Sequence, residues 1–220
     1  MPVDPPSDTT SRLVVEPRWL AWARELQAIA QTGLHYSEIE YDRERYQAVE
    51  RIAAEMMACQ SGHELRPVLD LFRHDTGYAT PKVDVRGIVF RDGKILLVKE
   101  KLDGKWTPPG GWADVNEAPS EAVVREVWEE SGFETRIVKL LAVYDRTKQG
   151  HQPYYPFHVY KIFFLCEVTG GEAAVSSETD GVGFFPPVDL PELSTSRISA
   201  RQIARFFELL HHPEWPADFD

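Results

Sequence analysis

Three glutamates stand close together in the stretch EAVVREVWEESGF, residues 121 to 133: Glu126, Glu129 and Glu130. Positions three and four apart share one face of a helix, where like charges repel by roughly 0.2–0.5 kcal/mol per pair. Pro119 suits a first helical turn and Gly132 a left-handed cap, so the spacing predicts a helix over 119–131. At about 100° per residue the three carboxylates fall within one arc. Val123, Val124, Val127 and Trp128 take the opposite side. The helix is therefore expected to bury its apolar side and point the carboxylates outward together.

A solvated acidic face is the ordinary meaning of such a run. It fits poorly here, because Glu129 and Glu130 lie near a helix C-terminus, where the macrodipole disfavours anions, and Arg125 is one of few nearby cations. A divalent metal offsets both penalties. Hard carboxylate oxygens at (i, i+3) and (i, i+4) suit Mg²⁺ or Mn²⁺.

The rest of the chain must position this helix. With 220 residues, 43% of them apolar, it can form one ordinary core plus an appendage, or two small domains. A net charge of −11 argues against a binder of nucleic-acid backbones, so any phosphate must be neutralised locally. Cys59 and Cys166 have neither disulfide-framework nor zinc-ligand spacing. Together with a start lacking signal-peptide character and apolar runs too short to span a bilayer, this gives a cytoplasmic expectation.

Residues 1–16, proline-rich and polar, are expected to form a loose tail. Over 17–76 the pattern is helical. Trp19, Trp22, Ala23, Leu26, Ile29 and Ala30 make an apolar face between Pro17 and a stop at Gly33. A second helix has Asp42 as candidate cap and Tyr46, Val49, Ile52, Ala53, Met56 and Met57 as its face. A shorter third runs through LRPVLDLF. Such helices make a poor core alone, and a homodimer is the expected way to cover them.

From residue 80 to 212 the period changes. KVDVRGIVF and KILLVKE read as strands joined by a type I′ turn at Asp92-Gly93. Val83, Val85 and Val89 share one face of the first strand. The second, apolar on both faces, belongs in a sheet covered on both sides. Strands near TRIVKLLAVYDR, FHVYKIFFLCEV and GVGFF follow, with a turn at Gly170-Gly171, and SRISARQIARFFELLHH closes the unit as a helix. Helices on both faces of a mixed sheet give an α/β/α sandwich preceded by a small all-α domain.

The segment 111–133 resembles the Nudix box: Gly111, Glu117, Arg125, Glu126, Val127, Glu129, Glu130, Gly132 and Phe133 fall at its specified positions without a gap. The order of strands extends the resemblance over about 80–210. It implies metal-dependent hydrolysis of a nucleoside diphosphate linked to another group, X. Glu126 and Glu130 then correspond to the core Mg²⁺ ligands and Glu129 to a third carboxylate that binds metal or orients water. Gly111 contributes its carbonyl, and Arg125 and Glu117 are structural, an arginine fork holding the loop.

A further acid often lies before a late strand in this family. Glu178 in SSETDGVGFF is the candidate ligand or general base, with Asp180 as runner-up; a surface acid in a loop is the plain alternative. Lys82, Arg86 and Lys99 are candidate phosphate contacts. Trp112, Tyr160 and His158 are candidate aromatic framing for a base or cationic head group. His211-His212 reads as non-catalytic.

WLAWARELQAIAQTGLHY, IAAEMMA and GYATPKVDVRGIVF, with KWTPPGGWADV, are similar to bacterial Nudix enzymes described as CDP-choline pyrophosphatases, often labelled ADP-ribose pyrophosphatases. The similarity implies CDP-choline, then ADP-ribose, as substrate, and a dimer through the helical extension. A reading of another class is a non-catalytic nucleotide-sugar sensor on the same scaffold. The intact glutamates and the lack of an evident DNA-binding output element weigh against it.

Overall fold

The computed structural model describes residues 17–220; the expected tail over 1–16 lies outside the described residues. Three helices open the chain, α1 (Arg18–Tyr36), α2 (Glu40–Ser61) and α3 (Leu65–Arg73). They enclose a core of Leu20, Ala23, Ala53, Ala54, Met57, Ala58, Val68 and Phe72.

The buried stripes differ in detail from the expected faces. On α1 it is Leu20, Ala23, Gln27, Ala30 and Gln31 that are buried, and Gln27 Nε2 donates to Gln31 Oε1 at 2.7 Å. Trp22 and Ile29 are left about half exposed. On α2, Ile52 is exposed while Glu50 is buried against Arg73 at 3.0 Å. Asp42 is not the cap, since α2 begins two residues earlier. Gly33 does not stop α1: a Cβ there would meet the Tyr46 ring at 2.4 Å, so the glycine lets α2 approach.

The remaining strands are β1 (Lys82–Arg91), β2 (Lys94–Glu100), β3 (Trp106–Thr107), β4 (Phe133–Asp145), β5 (Val159–Gly171), β6 (Thr179–Phe185) and β7 (Asp218–Phe219), with helices α4 (Pro119–Ser131) and α5 (Ala200–His211). They form a mixed sheet of order β3-β2-β1-β5-β4-β7, and β6 pairs with β2. Strand β1 runs parallel to β5 and meets β2 only beside the hairpin, where Asp92 and Gly93 both have positive φ as a type I′ turn demands.

Helix α4 covers one face, over Val85, Val89 and Leu96, and α5 the other, over Ile88, Ile95 and Leu97. The consecutive apolar residues of β2 thus serve both cores of an α/β/α sandwich. Gly170 and Gly171 do not make a turn: they remain in β5, paired with Glu134 and Phe133. The chain also runs on past residue 212. Trp215 packs on the α5 core, and β7 pairs with β4.

Candidate active site

Helix α4 ends where the box requires, at Gly132 in the left-handed conformation with φ +76°. Its approach to the sheet depends on Gly87 of β1, where a Cβ would collide with Val127 at 2.3 Å. Residues 109–113 run beside β1: Val85 N–H donates to Gly111 O (2.8 Å), Gly87 N–H to Pro109 O (2.9 Å) and Ala113 N–H to Val83 O (3.0 Å). Gly110 makes this approach possible, since its φ is +143° and a Cβ would lie 2.1 Å from Val85 O.

This segment changes the environment of the carboxylates. They do not project into solvent together: Glu130 is only 4% exposed, the Glu126 side chain 13%, and Glu129 alone is half exposed. The loop after β5 and the start of β6 also close on the helix, with Ala174 N–H donating to Ser131 O and Thr179 Oγ1 to Glu130 O. Trp128, expected in the core, is exposed instead. The arc carrying Glu126 and Glu130 therefore faces the floor of a cleft of ≈1270 Å³.

Gly110 N–H donates to Glu130 Oε2 at 2.8 Å. Burial nevertheless pushes the Glu130 carboxyl up to about 8, with Arg86 opposing. Burial also raises Glu126, against the pull of Arg125. The Arg125 fork grips Glu117 bidentately (2.9 and 3.0 Å), and its Nη1 reaches Glu126 and Glu129 at 2.9 Å each. A Cβ on Gly111 would stand 2.9 Å from the Glu126 carboxylate.

No three His, Cys, Asp or Glu side chains among the described residues already stand in ligating positions; the protein's own donors hold the carboxylates. The donor set still fits a hard divalent cation. It is all oxygen, and it includes two buried carboxylates that burial would otherwise leave costly to ionise.

The other sequence candidates divide. Glu178 and Trp112 line the cleft, both exposed. Arg86 lines it too, but as a buried group bonded to Asp84 through Nε and Nη2 at 3.0 and 2.9 Å, with Nη1 on Pro108 O. Lys99 lies outside the lining and pairs with Asp180 at 3.8 Å. Lys82 pairs with Asp75, and His158 with Asp145. Neither His158 nor Tyr160 lines the cleft; Tyr155 stands beside Trp112 in their place, ring centroids 6.0 Å apart.

Several lining residues had no sequence signal. Asp84 accepts from Arg86 and from Lys161 Nζ at 2.6 Å. Arg146 lies over the Tyr155 ring, and Glu100 pairs with Arg197. The helical region braces this wall: Arg24 of α1 donates to Thr147 Oγ1 (3.1 Å) and to the Tyr155 carbonyl, while Tyr154 and Phe157 pack on the helical core.

Residues 80–206 match the family model described as NUDIX domain, and residues 17–72 the one described as UDP-X-like, N-terminal oligomerisation domain. The chain belongs to the Nudix hydrolase family. It is 45% identical over 206 residues to the Bacillus subtilis (strain 168) protein "Putative ADP-ribose pyrophosphatase YjhB", covering 94% of this chain and 99% of that one. Among solved structures, an ADP-ribose pyrophosphatase from Streptococcus suis 89-1591 shares 39% identity with TM-score 0.58, over 64% of this chain and 100% of the other. A UDP-X diphosphatase shares 30% with TM-score 0.60, over 92% and 98%. Enzymes of this family use divalent cations. Among the described residues no helix is long and apolar enough to cross a membrane.

Proposed function

We propose that the protein hydrolyses the phosphoanhydride of a nucleoside diphosphate linked to X with Mg²⁺, or Mn²⁺ in its place. The observation that carries this is the pair of buried box carboxylates, Glu126 and Glu130, on the floor of a cleft large enough for a dinucleotide-sized ligand. Glu126, Glu130 and the carbonyl of Gly111 would hold the metal, with Glu129 as a third carboxylate. When bound, the metal supplies positive charge against the diphosphate and activates the attacking water. Arg125 holds Glu117 and so fixes the loop over α4. Glu178, exposed on the cleft rim, is the proposed general base or additional ligand. Trp112 offers an exposed ring for a base, and Arg86 anchors the cleft floor.

CDP-choline, cleaved with water to CMP and phosphocholine, is the substrate that the sequence resemblance favours. The names of the relatives favour a second reading, ADP-ribose, cleaved with water to AMP and ribose 5-phosphate. Liquid chromatography of nucleotides after incubation with Mg²⁺ and each compound separates them. CMP from the first alone supports choline, AMP from the second alone replaces it, and no hydrolysis of either overturns both in favour of another diphosphate or a sensor.

We further propose a cytoplasmic homodimer, with division into units over 17–76 and 80–212. The match to an oligomerisation domain and the exposed Trp22 and Ile29 of α1 support the dimer.

A further inference from the structure

Arg146 stands just after β4, where its side chain is 7% exposed and lines the cleft. Among the described residues its guanidinium makes one hydrogen bond, from Nη2 to Pro153 O at 2.7 Å, and lies 5.5 Å from the centroid of the Tyr155 ring. It makes no ion pair with a carboxylate among the described residues, and the charges that act on it most are those of Arg24 and, next, Asp84. Burying a guanidinium without a counter-ion is unfavourable. Burial and the Arg24 charge push Arg146 down to about 10.

Lys161 of β5 lies in the same wall, 2% exposed, bonded to Asp84 and lowered to about 8 by burial. Asp84 is also gripped by Arg86. Arg86 and Lys161 thus share the Asp84 carboxylate, while Arg146, buried in the same cleft lining, has no carboxylate of its own within ion-pair distance among the described residues, in a protein whose net charge is −11. An anion entering from the cleft would balance them, and phosphoryl oxygens match a planar guanidinium fork.

We infer that Arg146, together with Lys161, forms a phosphate-holding subsite in the cleft lining that also carries the box glutamates. It takes the phosphoryl group of the substrate that is not held against Glu126 and Glu130, and so orients the anhydride in the cleft. The inference rests on the nucleoside diphosphate reading above. It also excludes this wall as a seat for a quaternary ammonium, so a choline group would turn toward the acidic rim at Glu178.

The test is calorimetric titration of inorganic pyrophosphate in EDTA, which isolates the subsite from any metal. Wild-type protein is expected to bind, and Arg146→Gln to bind about 10-fold or more weakly. Arg146→Lys should recover part of the loss. Without ligand, the melting midpoint of Arg146→Gln is expected to match or exceed wild type, because an unbalanced buried charge has gone. Pyrophosphate should raise the midpoint of wild type only.

Failure of wild type to bind, equal binding by Arg146→Gln, or its failure to fold would overturn the subsite; the last would make Arg146 a strut for Pro153. Product analysis on wild type keeps the two readings apart. Arg146-dependent binding without hydrolysis of any diphosphate preserves the subsite and removes the enzymatic reading, whereas hydrolysis with unaltered Arg146→Gln binding does the reverse.

Discussion

The acidic wall of the cleft, Glu126, Glu129 and Glu130, comes from a single 13-residue helix, whereas the cations that line the same cleft, Arg86, Arg146 and Lys161, come from β1, the turn after β4, and β5. The first wall is local in sequence: one cap, one glycine stop and one helical period fix the relative positions of its acids. The second exists only after β1 has paired in parallel with β5 and α1 has braced the loop that carries Tyr155. Local chemistry can be read as a motif. Chemistry assembled by topology cannot.

The contrast is sharpest at Asp84. Burial opposes its ionisation, yet Arg86 and Lys161 hold its carboxyl well below the usual range. Asp84→Asn leaves buried cations without their shared counter-ion, and we expect it to destabilise the fold by ~3–5 kcal/mol, read from denaturant unfolding. Next in size, Glu126→Gln and Glu130→Gln should lower kcat by at least ~10², with melting midpoints in EDTA within a few degrees of wild type. If the acidic variants unfold and Asp84→Asn does not, the division of labour between the walls is wrong.

A smaller effect concerns pH. His151, 2% exposed, bonds through Nδ1 to Thr195 O, and burial with the Lys161 and Arg146 charges lowers it from 6.5 to about 3, Asp84 opposing. The unfolded chain therefore binds a proton between these values that the folded chain does not. Stability is full above pH ~6.5 and falls by up to ~1.4 kcal/mol per unit as pH drops toward 3. His151→Asn should flatten that slope in acid denaturation curves; an unchanged slope would remove His151 from the balance of the cationic wall. Smallest for catalysis, Trp22→Asp in α1 should lower the light-scattering mass from that of the proposed dimer to that of a monomer while kcat changes less than ~3-fold, because the residue lies outside the cleft lining.

These two walls also mark how far the sequence could be read. The limits of α4, the Asp92-Gly93 turn and the doubly buried β2 follow from local period and turn chemistry. The environment of Glu130 does not, because residues 109–113 and the loop before β6 bury a helical arc that periodicity alone assigns to solvent. The same reason explains Trp128, expected inside and found outside. Lys99 sits in a strand beside the site yet faces Asp180, since a period of two decides sides only once the strand is placed. Arg146, His151 and Tyr155 lie in an irregular segment, where neither period nor motif marks them. On α1, Trp22 and Ile29 are apolar and exposed, and a hydrogen-bonded pair of glutamines takes the buried stripe beside them.

The most direct test of the central claim is a steady-state comparison of wild type, Glu130→Gln and Arg146→Gln on whichever diphosphate substrate is hydrolysed. The acidic variant should lose kcat by at least ~10² with KM little altered, and the cationic variant should raise KM by about 10-fold with kcat nearly kept. The opposite pattern, kcat lost on Arg146→Gln and retained on Glu130→Gln, would contradict the assignment of chemistry to one wall and phosphate binding to the other.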